Sequence, residues 1–175
     1  RGISLPVSTS SVRMGSWDRV VCNTGPVVGL HLIGRLKLLT QLIPQIVVPA
    51  VVVGELRAGM GAGDVALQHW LQSVTVCEPI APIDPFLTAE LDAGEAAVIA
   101  LARELSLPML MDERKGRKIA VLAFNIAVFG TGRILVEAKR HGFIERVRPA
   151  MEQMRAAGYF LSERLVQHIA REAGE

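Results

Sequence analysis

The sequence predicts an α/β fold: a central parallel sheet covered by helices on both faces, in three α/β/α layers, with extra helices at the C-terminal end. Three observations predict it. Short apolar runs of strand type, such as Arg19–Cys22, Ile46–Val48 and Met109–Met111, alternate with longer segments of helical pattern. Strands separated by helices pair in parallel, because a parallel pair needs a long crossover, and such sheets are buried on both faces. Beyond Gly132 the pattern is helical only.

Residues 1–17, RGISLPVSTSSVRMGSW, differ from the rest, being rich in Ser, Gly and Arg without a period. They lack an apolar stretch followed by a cleavage signal, which excludes a secretory leader. They read as a flexible N-terminal segment, with Met14 a candidate natural start, ahead of a single domain over 18–175. Arg19–Cys22 is the first strand, ended by Asn23-Thr24-Gly25-Pro26. Pro26 suits the first turn of a helix with Thr24 or Gly25 near its cap, and Val27–Ile33 supplies the apolar helical run. Gly34 breaks it and Arg35–Leu42 makes a second short helix. Ile46–Val48 is a strand, and Pro49 opens a helix to about Ala58. Gly59–Gly63 is a flexible break, after which Asp64 caps a helix to about Gln72. Val74–Cys77 is a strand, followed by a proline-rich connection over Pro79–Pro85. Thr88 starts the long central helix, Met109–Met111 is the next strand, and Lys115–Ala123 a basic-then-apolar helix. Ile126–Phe129 is the last strand, closed by Gly130-Thr131-Gly132. Helices at about Arg133–His141, Arg148–Ala157 and Ser162–Glu172 form the tail, placed over the sheet edge or in a dimer contact.

The chain has 175 residues, enough for one domain with a substantial core, and half of them are hydrophobic. No stretch has the length of a membrane span, so no membrane partner is expected. The net charge of +2 is too small to identify a nucleic-acid partner. Its distribution says more: Arg114, Lys115, Arg117, Lys118, Arg133, Lys139, Arg140, Arg146 and Arg148 outnumber Glu137 and Glu145 across one window. A basic half of this kind suits a polyanion or a solvated helix face. Cys22 and Cys77 lie in apolar runs and read as buried thiols of a reducing, cytoplasmic protein. No zinc spacing, Gly-x-Ser-x-Gly, dinucleotide fingerprint or phosphate loop is present. His31, His69, His141 and His168 form no triad or metal spacing.

Candidate chemistry centres on acids in unusual places. Glu95 follows Gly94 at a helix opening, and Val98 and Ile99 put it on an apolar face. Glu55 shares a face with Val51 and Val52 in the same way. Asp112 ends an apolar strand, where ligands bind in open α/β sheets. Asn23 ends the first strand. Taken singly, each has a bland reading: Asn23 as a turn residue capping a helix, Glu55 as a partner of Arg57, Glu95 as an acid favoured by a helix N-terminus. Taken together, three carboxylates and an amide without matching cations make a poor structural cluster unless a cation neutralises them. Oxygen donors favour Mg²⁺ or Mn²⁺, the ions that serve phosphodiester hydrolysis. Lys115 and Arg117 stand at a helix N-terminus, where cations are unfavourable, which suggests an anionic neighbour.

The motifs Asn23-Thr-Gly-Pro26, Val48-Pro-Ala-Val-Val-Val-Gly-Glu55, Gly94-Glu-Ala96, Leu110-Met-Asp-Glu-Arg-Lys-Gly-Arg117 and Gly130-Thr-Gly132 occur in this order. From Val20 to the C-terminus the chain resembles the PIN-domain nucleases, closest to the prokaryotic branch of VapC-type toxins. The resemblance implies a PIN-like fold and a Mg²⁺- or Mn²⁺-dependent endoribonuclease of a toxin–antitoxin pair, with RNA as substrate, a cognate antitoxin as inhibitor and a homodimer as assembly. Carried over, Asn23, Glu55, Glu95 and Asp112 take the four acid positions, Glu113 assists or replaces Asp112, and Thr24 and Thr131 take hydroxyl positions that orient water or ligands. Arg114, Lys115, Arg117 and Lys118 become RNA contacts. The family usually has Asp where this chain has Asn23. An amide oxygen still ligates a metal but brings no charge, so the alternative is a degenerate PIN domain that binds RNA or a protein without cleaving. A purely scaffolding module is a third class. A dimer is also expected from the very apolar segment Val27–Leu42 and from Val166 and Ile169.

Overall fold

The computed structural model describes residues 18–175; the predicted flexible segment lies outside the described residues. Five strands, β1 (Arg19–Cys22), β2 (Gln45–Val48), β3 (Thr75–Val76), β4 (Met109–Leu110) and β5 (Val128–Phe129), form one parallel sheet in the order β3-β2-β1-β4-β5. Between them run α1 (Thr24–Leu32), α2 (Lys37–Leu42), α3 (Ala50–Met60), α4 (Val65–Leu71), α5 (Pro85–Glu90), α6 (Ala93–Leu105) and α7 (Arg114–Phe124). The tail consists of α8 (Thr131–Arg140), α9 (Val147–Ala156) and α10 (Glu163–Glu172). Helices α1, α2, α8, α9 and α10 pack as one group and α5, α6 and α7 as another, with α3 touching α1 of the first and α6 of the second, giving the predicted α/β/α layers.

The sheet order fixes where a site can form. From β1 the chain steps outward through β2 and β3, then returns to β4 on the other side of β1. The adjoining crossovers leave in opposite directions, opening a crevice beyond the C-terminal ends of β1 and β4. Val21 pairs with Met109 and Cys22 with Leu110, so Asn23 emerges beside Met111 and Asp112. Val20, Val21, Cys22, Met109, Leu110 and Met111 are fully buried, which anchors this edge in the core.

Several boundaries differ from expectation for local reasons. The first helix begins at Thr24, and Pro26 is tolerated because it falls within the first turn. The single long helix expected from Thr88 is two. Leu91 is extended, and Asp92 restarts the helix through a reciprocal capping box with Glu95. The helix after Pro49 continues to Met60 and stops at Gly61, whose φ of 90° few other residues adopt.

The apolar segment 27–42 is mostly consumed by the molecule itself. Val27, Leu30, Leu38, Leu39 and Leu42 are buried where α1 and α2 meet α3, α8 and α9, and Val166 and Ile169 are buried as well. The exposed patch that suggested a dimer is absent from α1 and α2, where Leu32 is the large apolar side chain left exposed, and α10 exposes Leu165. Among the described residues no helix is long and apolar enough to cross a membrane.

Candidate active site

Asn23 stands at the N-cap position of α1, yet its side chain makes no capping bond. Its Nδ2 donates instead to Glu113 Oε2 at 3.1 Å, and its Oδ1 is buried without a hydrogen-bond partner among the described residues. The reading of Asn23 as an ordinary helix cap therefore fails. A buried acceptor left unpaired costs about 1–3 kcal/mol, and it lies at the crevice between β1 and β4. Glu113 is exposed as a residue, but its carboxyl turns inward: a Cβ at Gly25 would stand 2.9 Å from its Oε1.

Each carboxylate is seated against a glycine near the start of a helix. Glu55 accepts a short hydrogen bond from the Thr24 hydroxyl, not an ion pair from Arg57. A Cβ at Gly94 would collide with Glu55 Oε1 and stand 2.7 Å from its Oε2. Glu95 Oε2 accepts from Asp92 N–H at 3.3 Å, while its Oε1 lies 3.3 Å from the Cβ position of Gly116. Asp112 Oδ1 lies 2.9 Å from the Cβ position of Gly130. Gly25, Gly94 and Gly116 fall in the first turns of α1, α6 and α7, and Gly130 immediately precedes α8. The positive end of each helix favours negative charge there, and glycine allows it to come close.

Asp112 is the most heavily bonded of the acids. Thr131 N–H donates to Oδ1 at 2.8 Å, Thr131 Oγ1 to Oδ2 at 2.5 Å, and the Tyr159 hydroxyl also to Oδ2 at 2.5 Å. Thr24 and Thr131 thus each hold an acid. Burial is the main reason the Glu95 carboxyl titrates above its usual range, with the Asp92 charge adding to it. Burial also raises Glu113, helped by the charge of Asp112. Both acids favour the protonated form more than free carboxyls do, as expected for acids gathered without a cation.

The basic residues divide. A cleft of about 840 Å³ runs from Asp112 between α7 and α10, with Arg114, Arg117, Lys118 and Arg133 on its walls. Arg117 also donates to Met111 O at 2.7 Å, fixing it beside Gly130. Lys115 does not line this cleft; it pairs with Glu90 at 3.0 Å. The exposed apolar side chains Val121, Leu122 and Leu165 also line the cleft.

Among the described residues no three His, Cys, Asp or Glu side chains gather into a ready-made metal cage. The donor set still fits a hard divalent ion. It is all oxygen and includes the unpartnered Asn23 Oδ1, and Mg²⁺ is commonly held by only one or two carboxylates while keeping several waters.

Tyr159 escaped the sequence reading. It is the single tyrosine of the chain and follows Gly158, a helix-stopping glycine, with no acid near it in sequence. Only the packing of α9 against α1 brings it to Asp112. A family model for the PIN domain matches residues 19–175. No curated protein matches the chain.

Proposed function

Because this chain belongs to the PIN-domain family, whose members are generally metal-dependent nucleases, we propose that it is a Mg²⁺- or Mn²⁺-dependent ribonuclease working at the crevice between β1 and β4. The carrying observation is the buried, unpartnered Asn23 Oδ1 set among acids at that crevice. Asn23 would hold the ion together with one or two of the carboxylates of Glu55, Glu95, Asp112 and Glu113. When bound, the ion supplies charge neutralisation and activates water for attack on phosphorus. The chain's own contributions are positional. Thr24 and Thr131 orient Glu55 and Asp112, and the helix N-termini tolerate the gathered charge. Arg114, Arg117 and Lys118 line the cleft leading away from Asp112 and would receive the phosphates of RNA, with Lys115 at its margin.

Within the family we place the chain in the VapC-like branch, as the toxin of a type II pair with a cognate antitoxin, acting in the cytoplasm as one domain over 18–175 and as a homodimer. The motif order supports this placement, and Asn23 in the first acid position is its departure from the family pattern.

A second reading, a degenerate PIN domain that binds RNA or protein without cleaving, is favoured by one observation. The amide at position 23 supplies no charge, and its nitrogen is already committed to Glu113. Calorimetric titration with Mn²⁺ together with an RNA cleavage assay in Mg²⁺ decides between them. Metal binding with cleavage supports the nuclease; RNA binding without either supports the degenerate form.

A further inference from the structure

An ionised carboxylate offers about four lone-pair sites, and in Asp112 the fold fills three. Thr131 takes one on each oxygen and Tyr159 takes the second on Oδ2. Among the described residues, only Oδ1 keeps a site free. The route by which Tyr159 gets there is built into α1. Gly158, with φ of 93°, turns the chain after α9 back toward the sheet. The tyrosine ring and the Met154 side chain then lie over Gly29, where a Cβ would stand 2.6 Å from Met154 Cε, 3.1 Å from Tyr159 Cζ and 3.2 Å from Tyr159 Cε2. Its hydroxyl lies 3.2 Å from the Cβ position of Gly25, which also abuts the Glu113 carboxyl. Two glycines one helical turn apart thus clear a path for one phenol from a distant part of the chain.

We propose that Tyr159 is a positioning residue of the acid site: together with Thr131 it closes Oδ2 of Asp112, making Asp112 a one-oxygen ligand through Oδ1. The proposal rests on the reading of this edge as a metal site. Groups that hydrogen-bond to ligating carboxylates typically matter about 10–100-fold to metal affinity or activity.

Tyr159 can be watched alone, because tyrosine labelled with ¹³C at Cζ gives one resonance in this chain. In the full chain, paramagnetic Mn²⁺ should broaden that line, and Asp112→Asn should both shift the line and remove the broadening. Tyr159→Phe keeps the ring and removes only the hydroxyl. It should weaken Mn²⁺ binding in calorimetry about tenfold and lower kcat in Mg²⁺ with KM for RNA unchanged. Gly29→Ala, whose methyl group presses on Met154 and on the ring while the hydroxyl is kept, should weaken Mn²⁺ binding likewise and serves if the Phe variant folds poorly. Broadening in the wild type with unchanged or tighter Mn²⁺ binding in both variants overturns the role of Tyr159 and leaves the metal site standing. A wild-type chain that binds no Mn²⁺ removes the metal site, and this proposal with it.

Discussion

Asn23→Asp places a carboxylate where the structure has a buried amide 3.1 Å from Glu113. The hydrogen bond from Nδ2 becomes a contact between like charges. Two unit charges about 4 Å apart at an effective dielectric of about 20 interact by roughly 4 kcal/mol. Full repulsion is not reached, because burial holds the Glu113 carboxyl above its usual range, so that it takes up a proton more readily than a free carboxyl and can rebuild the bond. The metal-free variant should therefore lose about 2 kcal/mol of stability, roughly half of that Coulomb limit. Divalent metal reverses the sign of the effect, since the added carboxylate now faces a cation. An ion at about 100 times its Kd stabilises the folded state by about 2.7 kcal/mol, enough to offset the loss. Urea denaturation with and without Mg²⁺ measures both, and Mn²⁺ calorimetry and RNA cleavage should rise together in the variant. Adding Glu95→Gln should abolish the gain. An unchanged apo stability, metal affinity and cleavage rate in Asn23→Asp would refute the assignment of Asn23 to the site, because Asn and Asp cap helices about equally well.

Other consequences follow from the same geometry. Glu95 and Glu113 have folded-state pKa values raised above the ordinary 4.5, so their contribution is fullest below 4.5 and is lost as pH rises through the folded values. Burial opposes the charge on Glu175, but Val147 N–H, Arg148 N–H and Lys139 outweigh it and hold its carboxyl down to about 2, so its contribution is lost as pH falls from 4.5 toward 2. Metal-free stability from these groups should thus peak near pH 4.5 in thermal denaturation scans, and saturating Mg²⁺ should flatten the decline on the neutral side. Gly94→Ala puts a methyl group into the Glu55 carboxylate; overpacking of this kind costs about 1–3 kcal/mol, and calorimetry should show weakened metal binding with the helix content unchanged. Arg117→Ala and Lys118→Ala should each weaken RNA binding without sequence preference and lower the salt slope of log K by about 0.7 for single-stranded RNA, whereas Lys115→Ala, paired to Glu90 outside the cleft, should change the slope less.

The parallel sheet, the placement of Asn23, Glu95 and Asp112 at helix openings and strand ends, and that of Glu55 on an apolar face within α3 were legible in the sequence, because they are written in local periodicity. Glu95 on an apolar face foretold its burial. The strand order was not legible: β4 returns beside β1 through contacts that no local pattern encodes. The break at Leu91–Asp92 was missed although Asp92 and Glu95 have capping-box spacing, since the apolar pattern runs through it. The apolarity of 27–42 was read as a surface patch because the sequence does not show that α8 and α9 come back to cover it. Tyr159 was invisible for the same reason.

The switch point between β1 and β4 also governs when the site comes into being. Asn23 and Glu113 are separated by 90 positions and Asp112 and Tyr159 by 47, so no local hairpin or helix pair contains the constellation. Contacts of such separation form late, because chain closure must precede them. A chain synthesised from its N-terminus holds Asn23 and Glu55 long before the acids of β4 exist, and the strands between them can pair without mutual charge repulsion. The charged edge is assembled only once β4 docks beside β1 and the last helices close over α1. The geometry of this edge therefore exists only in a chain that extends through Tyr159.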